Sequence, residues 1–296
     1  MNVLRKTLIT AALLTACAGV TAAETLHHVH GIAYSSDGER ILIPSHYGLA
    51  VFEDGRWSKA PGPEHDYMGF AATAEALYSS GHPAQGSGLV NPFGVIRSDD
   101  GGKTWQQLGF TGESDFHLLS AGYRSKAIYV FNPAPNSRMK SAGVYSSVND
   151  GFSWQRHSVA GVSGTPTTLA AHPDDPDRFA FGTSEGLYLA REGRDLQRVG
   201  DGRVTALWFD IDDGSLWVGR YAQGPELSRF DAQSGKFNPI DIPVAEQDAV
   251  AYVAQNPQQP NEYAIATFRR DVFVSTDAGS SWRAIARDGL GIDDGR

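Results

Sequence analysis

The chain has 296 residues, with 34 acidic against 25 basic side chains, a net charge of −9 and a pI near 5.4. No basic stripe is available to neutralise phosphates, which argues against nucleic acid as a partner. A single cysteine excludes a disulfide, and 33 glycines and 15 prolines with few Ala/Leu-rich runs favour many turns and short strands over helices.

In chain order, the first element is a targeting segment. Arg5 and Lys6, an apolar stretch over 8–20 and the small residues Thr21-Ala22-Ala23 form the three parts of a secretory signal over 1–23. The apolar stretch is shorter than the roughly 20 residues of a spanning helix, and no later segment comes close. Membrane attachment is therefore expected only through a lipid anchor: Leu14-Thr15-Ala16-Cys17 has the form of a bacterial lipobox, and otherwise Cys17 leaves with the signal. Both alternatives place the protein outside the cytoplasm, in the periplasm or tethered at the cell envelope. Residues 24–296 are expected to form a single domain without a thiolate ligand or nucleophile.

Three octads share the spacing Ser-x-Asp-x-Gly-x-x-Trp: 98–105, 147–154 (with Asn149 in place of the acid) and 275–282. Asp100, Asn149 and Asp277 suit the capping of their own turn, the glycines a left-handed turn, and Trp105, Trp154 and Trp282 a lid over each hairpin. The segments at 54–57 and 231–237 read as worn copies. Aligned outward from these turns, second apolar runs fall at 40–45, 76–80, 127–131, 178–183, 215–220 and 262–268. Third runs fall at 48–52, 93–98, 143–147, 186–190, 226–230 and 271–275. Six such units predict an all-β, six-bladed β-propeller with four antiparallel strands per blade; a two-sheet sandwich is the alternative.

In a blade, the loop into the innermost strand and the loop between strands two and three open on one face, and the other turns open on the opposite face. Seven of the nine histidines map to the first face within blades one to three: His27, His28, His30, His46, His65, His82 and His117. His157, on an edge strand, and His172, in an opposite-face turn, fall outside the group. His30, His65 and His117 precede three successive inner strands and are expected to converge, with His46 and His82 above them. Imidazoles oriented by the carboxylates Asp66 and Asp115 suit zinc or copper, and Met68 would add a thioether favouring Cu(I) unless it packs in the core. No organic cofactor is expected. Blades five and six offer Arg203, Arg220, Tyr221, Arg269 and Arg270 on the same face, a set able to hold a small anionic or sugar ligand, or else solvated loop cations.

The octads resemble the Asp box, or BNR repeat, of sialidase-like propellers. His-x-His-Gly, Ser-His-Tyr-Gly-Leu, His-Asp-x-Met-Gly-Phe, Ser-Gly-His-Pro and Asn-Pro-Phe-Gly extend a similarity to small bacterial exported propellers described as glycosyl hydrolase-like. That resemblance implies a glycoside hydrolase as one alternative, with Asp66 and Asp115 as candidate carboxylates. The sequence departs from true sialidases, which use three arginines and a Tyr–Glu nucleophile. No Phe/Tyr-Arg-Ile-Pro segment precedes the first octad, arginine is missing from the inner face of blade one, and only Arg220 with Tyr221 imitates part of the site. A scaffold propeller recognising another protein is the remaining alternative.

Overall fold

Short apolar runs punctuated by Gly- and Asp-bearing turns become 25 antiparallel strands in six sheets in a computed structural model that describes residues 25–190 and 195–294. The signal segment and Cys17 lie outside the described residues. Blade one holds β1 (Ala33–Tyr34), β2 (Arg40–Ser45), β3 (Gly48–Glu53) and β4 (Arg56–Lys59). Blade two holds β5 (Asp66–Ala72), β6 (Leu77–His82), β7 (Val95–Ser98) and β8 (Gln106–Gly109). Blade three holds β9 (Leu119–Ala121), β10 (Ile128–Asn132), β11 (Gly143–Ser147) and β12 (Gln155–His157). Blade four holds β13 (Pro166–Ala171), β14 (Phe179–Thr183), β15 (Gly186–Ala190) and β16 (Gln197–Asp201). Blade five holds β17 (Arg203–Phe209), β18 (Leu216–Tyr221), β19 (Pro225–Asp231) and β20 (Lys236–Ile240). Blade six holds β21 (Val250–Gln255), β22 (Tyr263–Thr267), β23 (Val272–Ser275), β24 (Arg283–Arg287) and a fifth strand, β25 (Leu290–Gly291). The architecture is a six-bladed β-propeller.

Each blade buries both faces against its neighbours, so its middle strands are apolar on both sides. Period-two alternation then sorts the side chains. On β2, Ile41 and Ile43 join the core shared with blade six, whereas Leu42 joins the core shared with blade two. On β14, Phe179 and Phe181 face blade three and Ala180 faces blade five. Six apolar clusters result, each shared by two consecutive blades.

The repeated turns share one bonding scheme. Ser98 Oγ accepts the Gly102 N–H at 2.8 Å, Asp100 Oδ1 accepts the Thr104 N–H at 2.9 Å, and Trp105 Nε1 donates to Gly102 O at 3.1 Å. Ser147, Asn149 and Trp154 repeat the scheme. Ser275 and Asp277 do so in blade six, where Trp282 Nε1 donates instead to Asp241 O in blade five.

The ring closes where the first described residues meet the last. Thr25 bridges Leu290, and Leu26 N–H donates to Gly289 O at 2.7 Å. From the other end, Asp293 Oδ1 accepts the Trp57 N–H at 3.0 Å and Asp294 N–H donates to Gly55 O at 2.7 Å. The first inner strand, β1, is only two residues long. Residue 31 would pair with Pro44, which has no N–H to extend the ladder.

Candidate metal centre

The up-and-down course of every blade brings the segments before β1, β5 and β9, and the loops β2–β3 and β6–β7, to one face. Close backbone approach then gathers them. A Cβ on Gly31 would stand 3.0 Å from Phe70 Cβ, and one on Gly69 only 2.2 Å from the Phe116 carbonyl oxygen. Glycine at these two positions lets blade one settle on blade two, and the 115–117 segment settle on β5. Ser80 Oγ fixes that segment by accepting the Phe116 N–H at 2.9 Å, and His30 N–H donates to Pro44 O at 3.1 Å. Below this mouth runs the central cavity, about 110 Å³, lined by the inner strands of blades two to six, by residues 30–32 just before β1 and by His117.

His28, His30 and His46 each offer a ring nitrogen, and the three nitrogens lie within 4.8 Å of one another. The rings pack together, with centroids 4.2 Å apart for His28 and His46 and 4.9 Å for His30 and His46. Asp66, at the start of β5, faces the group: Oδ1 stands 3.9 Å from His30 Nε2 and Oδ2 stands 3.8 Å from His46 Nδ1. Both distances exceed a hydrogen bond. His30 Nε2 and Asp66 Oδ1 are buried and have no hydrogen-bond partner. Burial, then the neighbouring His46 and His28, push the His30 pKa down to about 4; partial burial and His46 lower that of His28. These two rings are therefore neutral at pH 7, the form that ligates metal.

A second group adjoins the first. Asp115 Oδ2 meets His117 Nε2 at 2.7 Å and His82 Nε2 at 3.1 Å, and His82 Nδ1 lies 2.7 Å from Asn91 Oδ1. The hydrogen bond to Asp115 raises the His117 pKa. Asp115 acts electrostatically on His30 and Asp66 on His117, so the two groups share one mouth.

Of the residues expected from sequence, His30, His46 and Asp66 come together, as do His82, His117 and Asp115. His65 does not join them. It is buried, packs its ring against Tyr67 and Phe93, and accepts the Ala84 N–H on Nδ1 at 2.9 Å. Asp66 takes the channel side of the strand, so its neighbour faces the loop over blade two. Met68 follows Asp66 by two residues on β5 and is half-buried. Arg220 is turned into its own blade, paired with Glu226 at 3.2 Å and lying over the Phe237 ring at 4.2 Å. Tyr221 and Arg269 do share a cleft of about 240 Å³ with Arg203 and the exposed Phe268 on the same face as the histidines. The expected ligand set omitted His28 and Asn91. The two-residue spacing of His28 and His30 was a usable signal, since such residues share a side of an extended segment. Asn91, in a long loop, left none.

Fold and site together define a six-bladed propeller with a histidine–carboxylate cluster at one channel mouth. No protein-family profile and no curated protein matches the sequence. Among solved structures, a GH74 enzyme from Niastella koreensis superposes with a TM-score of 0.61 at 15% identity, covering 89% of this chain and 46% of that one. This chain thus spans just under half the length of that enzyme. YCF48 from Cyanidioschyzon merolae gives a TM-score of 0.52 at 15% identity over 91% of this chain and 88% of its own. YCF48 bound to D1 peptide gives 0.51 at 17% over 88% and 83%. At these identities the likeness is one of fold.

Proposed function

We propose that this protein is an exported propeller that binds a transition-metal ion, Zn²⁺ or Cu²⁺, at the channel mouth through His28, His30, His46 and Asp66. One observation carries the reading: two buried, unpartnered ligand atoms, His30 Nε2 and Asp66 Oδ1, face each other at 3.9 Å. Leaving a buried polar atom unpaired costs about 1–3 kcal/mol. Two ligands on one ion at about 2.1 Å stand about 3.4 Å apart at a tetrahedral angle, so an ion placed between them relieves both with small movements. Three imidazoles and a carboxylate are borderline donors, favouring Zn²⁺ or Cu²⁺ over Ca²⁺ or Mg²⁺. Asp66 and Asp115 both face imidazoles, which favours a metal site over a paired-carboxylate glycosidase. Calorimetry on untagged protein should show Zn²⁺ or Cu²⁺ binding at micromolar concentration or tighter, with one equivalent lost in His30→Ala/Asp66→Asn. Absence of any binding heat, with no metal retained on dialysis, would contradict the proposal.

A further inference from the structure

We infer that the histidine face carries a separate cleft for a small aromatic carboxylate that bears a hydroxyl beside its acid group. This site is independent of the metal centre and does not require an ion there. The cleft, about 240 Å³, lies between blades five and six and is lined by Arg203, Thr205, Tyr221, Asp248, Phe268 and Arg269. Two guanidiniums against one carboxylate give this lining a net single positive charge, which suits a monoanion better than a phosphate dianion. Among the described residues Arg203 has no ion pair, and Arg269 reaches only the exposed Asp288, at 3.8 Å. Both heads are exposed and available to an incoming acid group.

The floor of the cleft supplies a second observation. β17 carries a bulge at Thr205, between the pairs Val204–Arg220 and Ala206–Gly219, and a bulge re-aims its side chain. Thr167 occupies the corresponding bulge of β13 and donates to Val204 O at 2.8 Å. Thr205 makes no such bond: the residue is 5% exposed and its Oγ1 is buried without a partner. A buried hydroxyl left unpaired costs free energy, and the hydroxyl of a ligand in the cleft would satisfy it. The walls are braced before any ligand enters. Tyr221 Oη donates to Glu246 O at 3.0 Å, Phe268 N–H to Ala249 O at 3.2 Å, and Arg269 N–H to Asp248 Oδ1 at 3.2 Å. Such preorganisation lowers the cost of binding. Phe268 is 63% exposed, a ring on which an aromatic body can rest while the guanidiniums hold its acid group.

Calorimetry with phenyllactate on the whole mature chain, stripped of metal with EDTA, tests this. Binding is expected at millimolar concentration or tighter, with no heat from phenyllactamide, which has the same body and no charge. Arg203→Gln/Arg269→Gln should weaken binding about tenfold or more, and Thr205→Val severalfold. Both arginine side chains are exposed, so an unchanged melting temperature in that variant separates lost contacts from a lost fold. His30→Ala/Asp66→Asn should bind phenyllactate as the wild type does. No binding by the wild type, equal binding of the amide, or full affinity in the arginine variant or in Thr205→Val would overturn the cleft. Affinity lost in His30→Ala/Asp66→Asn and kept in the arginine variant would put the carboxylate at the histidine mouth and overturn it as well.

Discussion

At the scale of single residues, the nine histidines divide by what their ring nitrogens meet. His157 is buried at the edge of blade three with Nε2 2.7 Å from Ser146 Oγ, and His172 is buried at the opposite face with Nδ1 accepting the Asp174 and Asp175 N–H groups. Burial lowers both pKa values. The unfolded chain takes up these protons first, so the stability they contribute falls as pH drops below about 6.5. The melting temperature should decline between pH 7.5 and 5, less steeply in His157→Gln; an equal slope would assign the decline elsewhere. The two carboxylates of the repeated turns, Asp100 and Asp277, titrate below the ordinary carboxylate range. The Thr104 backbone N–H, then its hydroxyl, hold Asp100 down to about 2, so that contribution persists above the ordinary carboxylate range and is lost only as pH falls toward 2. Ser98 is the more sensitive test because it is 1% exposed. Ser98→Ala strands the Gly102 N–H and should cost about 1–3 kcal/mol in denaturant unfolding while leaving metal uptake unchanged. Loss of metal with stability intact would reverse the assignment of the two faces.

At the scale of elements, most of the strands could be read from the sequence because each middle strand is a short apolar run bounded by turn chemistry. The run 143–147 is β11 and the run 186–190 is β15, residue for residue. The short inner strands β1 and β9 were less legible, since their limits depend on the partner's hydrogen-bonding capacity, as at Pro44. The same limit applied to the site. Topology placed the histidines on one face, but the side to which each ring turns depends on local pleat and on the loops above it. His65 therefore went to the core and Asp66, its neighbour, to the channel. Arg220 and Tyr221 divided in the same way. The closing strand β25 carries only Leu290 and Gly291, too little for a periodic pattern. Trp57, 9% exposed and donating through Nε1 to Ile285 O at 2.7 Å, ties blade one to blade six. Trp57→Ala should cost about 3–5 kcal/mol, measured by chemical denaturation; a change under 1 kcal/mol would show that this seam contributes little to stability.

At the scale of the whole molecule, the ring sets the relation between stability and site. Blades one, two and three supply every side chain of the cluster, and blade one is held in register by the closure to blade six. Removing residues 289–296 deletes the partners of Leu26, Trp57 and Gly55. The truncated chain should melt at a lower temperature and bind metal more weakly, because His28 and His30 lie two and four residues after Leu26. The proposed centre holds one ion between three imidazoles and a carboxylate at this mouth. Anomalous diffraction at the zinc edge from crystals grown with Zn²⁺ addresses it most directly. A peak is expected about 2.0–2.2 Å from ring nitrogens of His28, His30 and His46 and from an oxygen of Asp66. A map with no peak among these four residues, from crystals soaked in zinc at millimolar concentration, would contradict it.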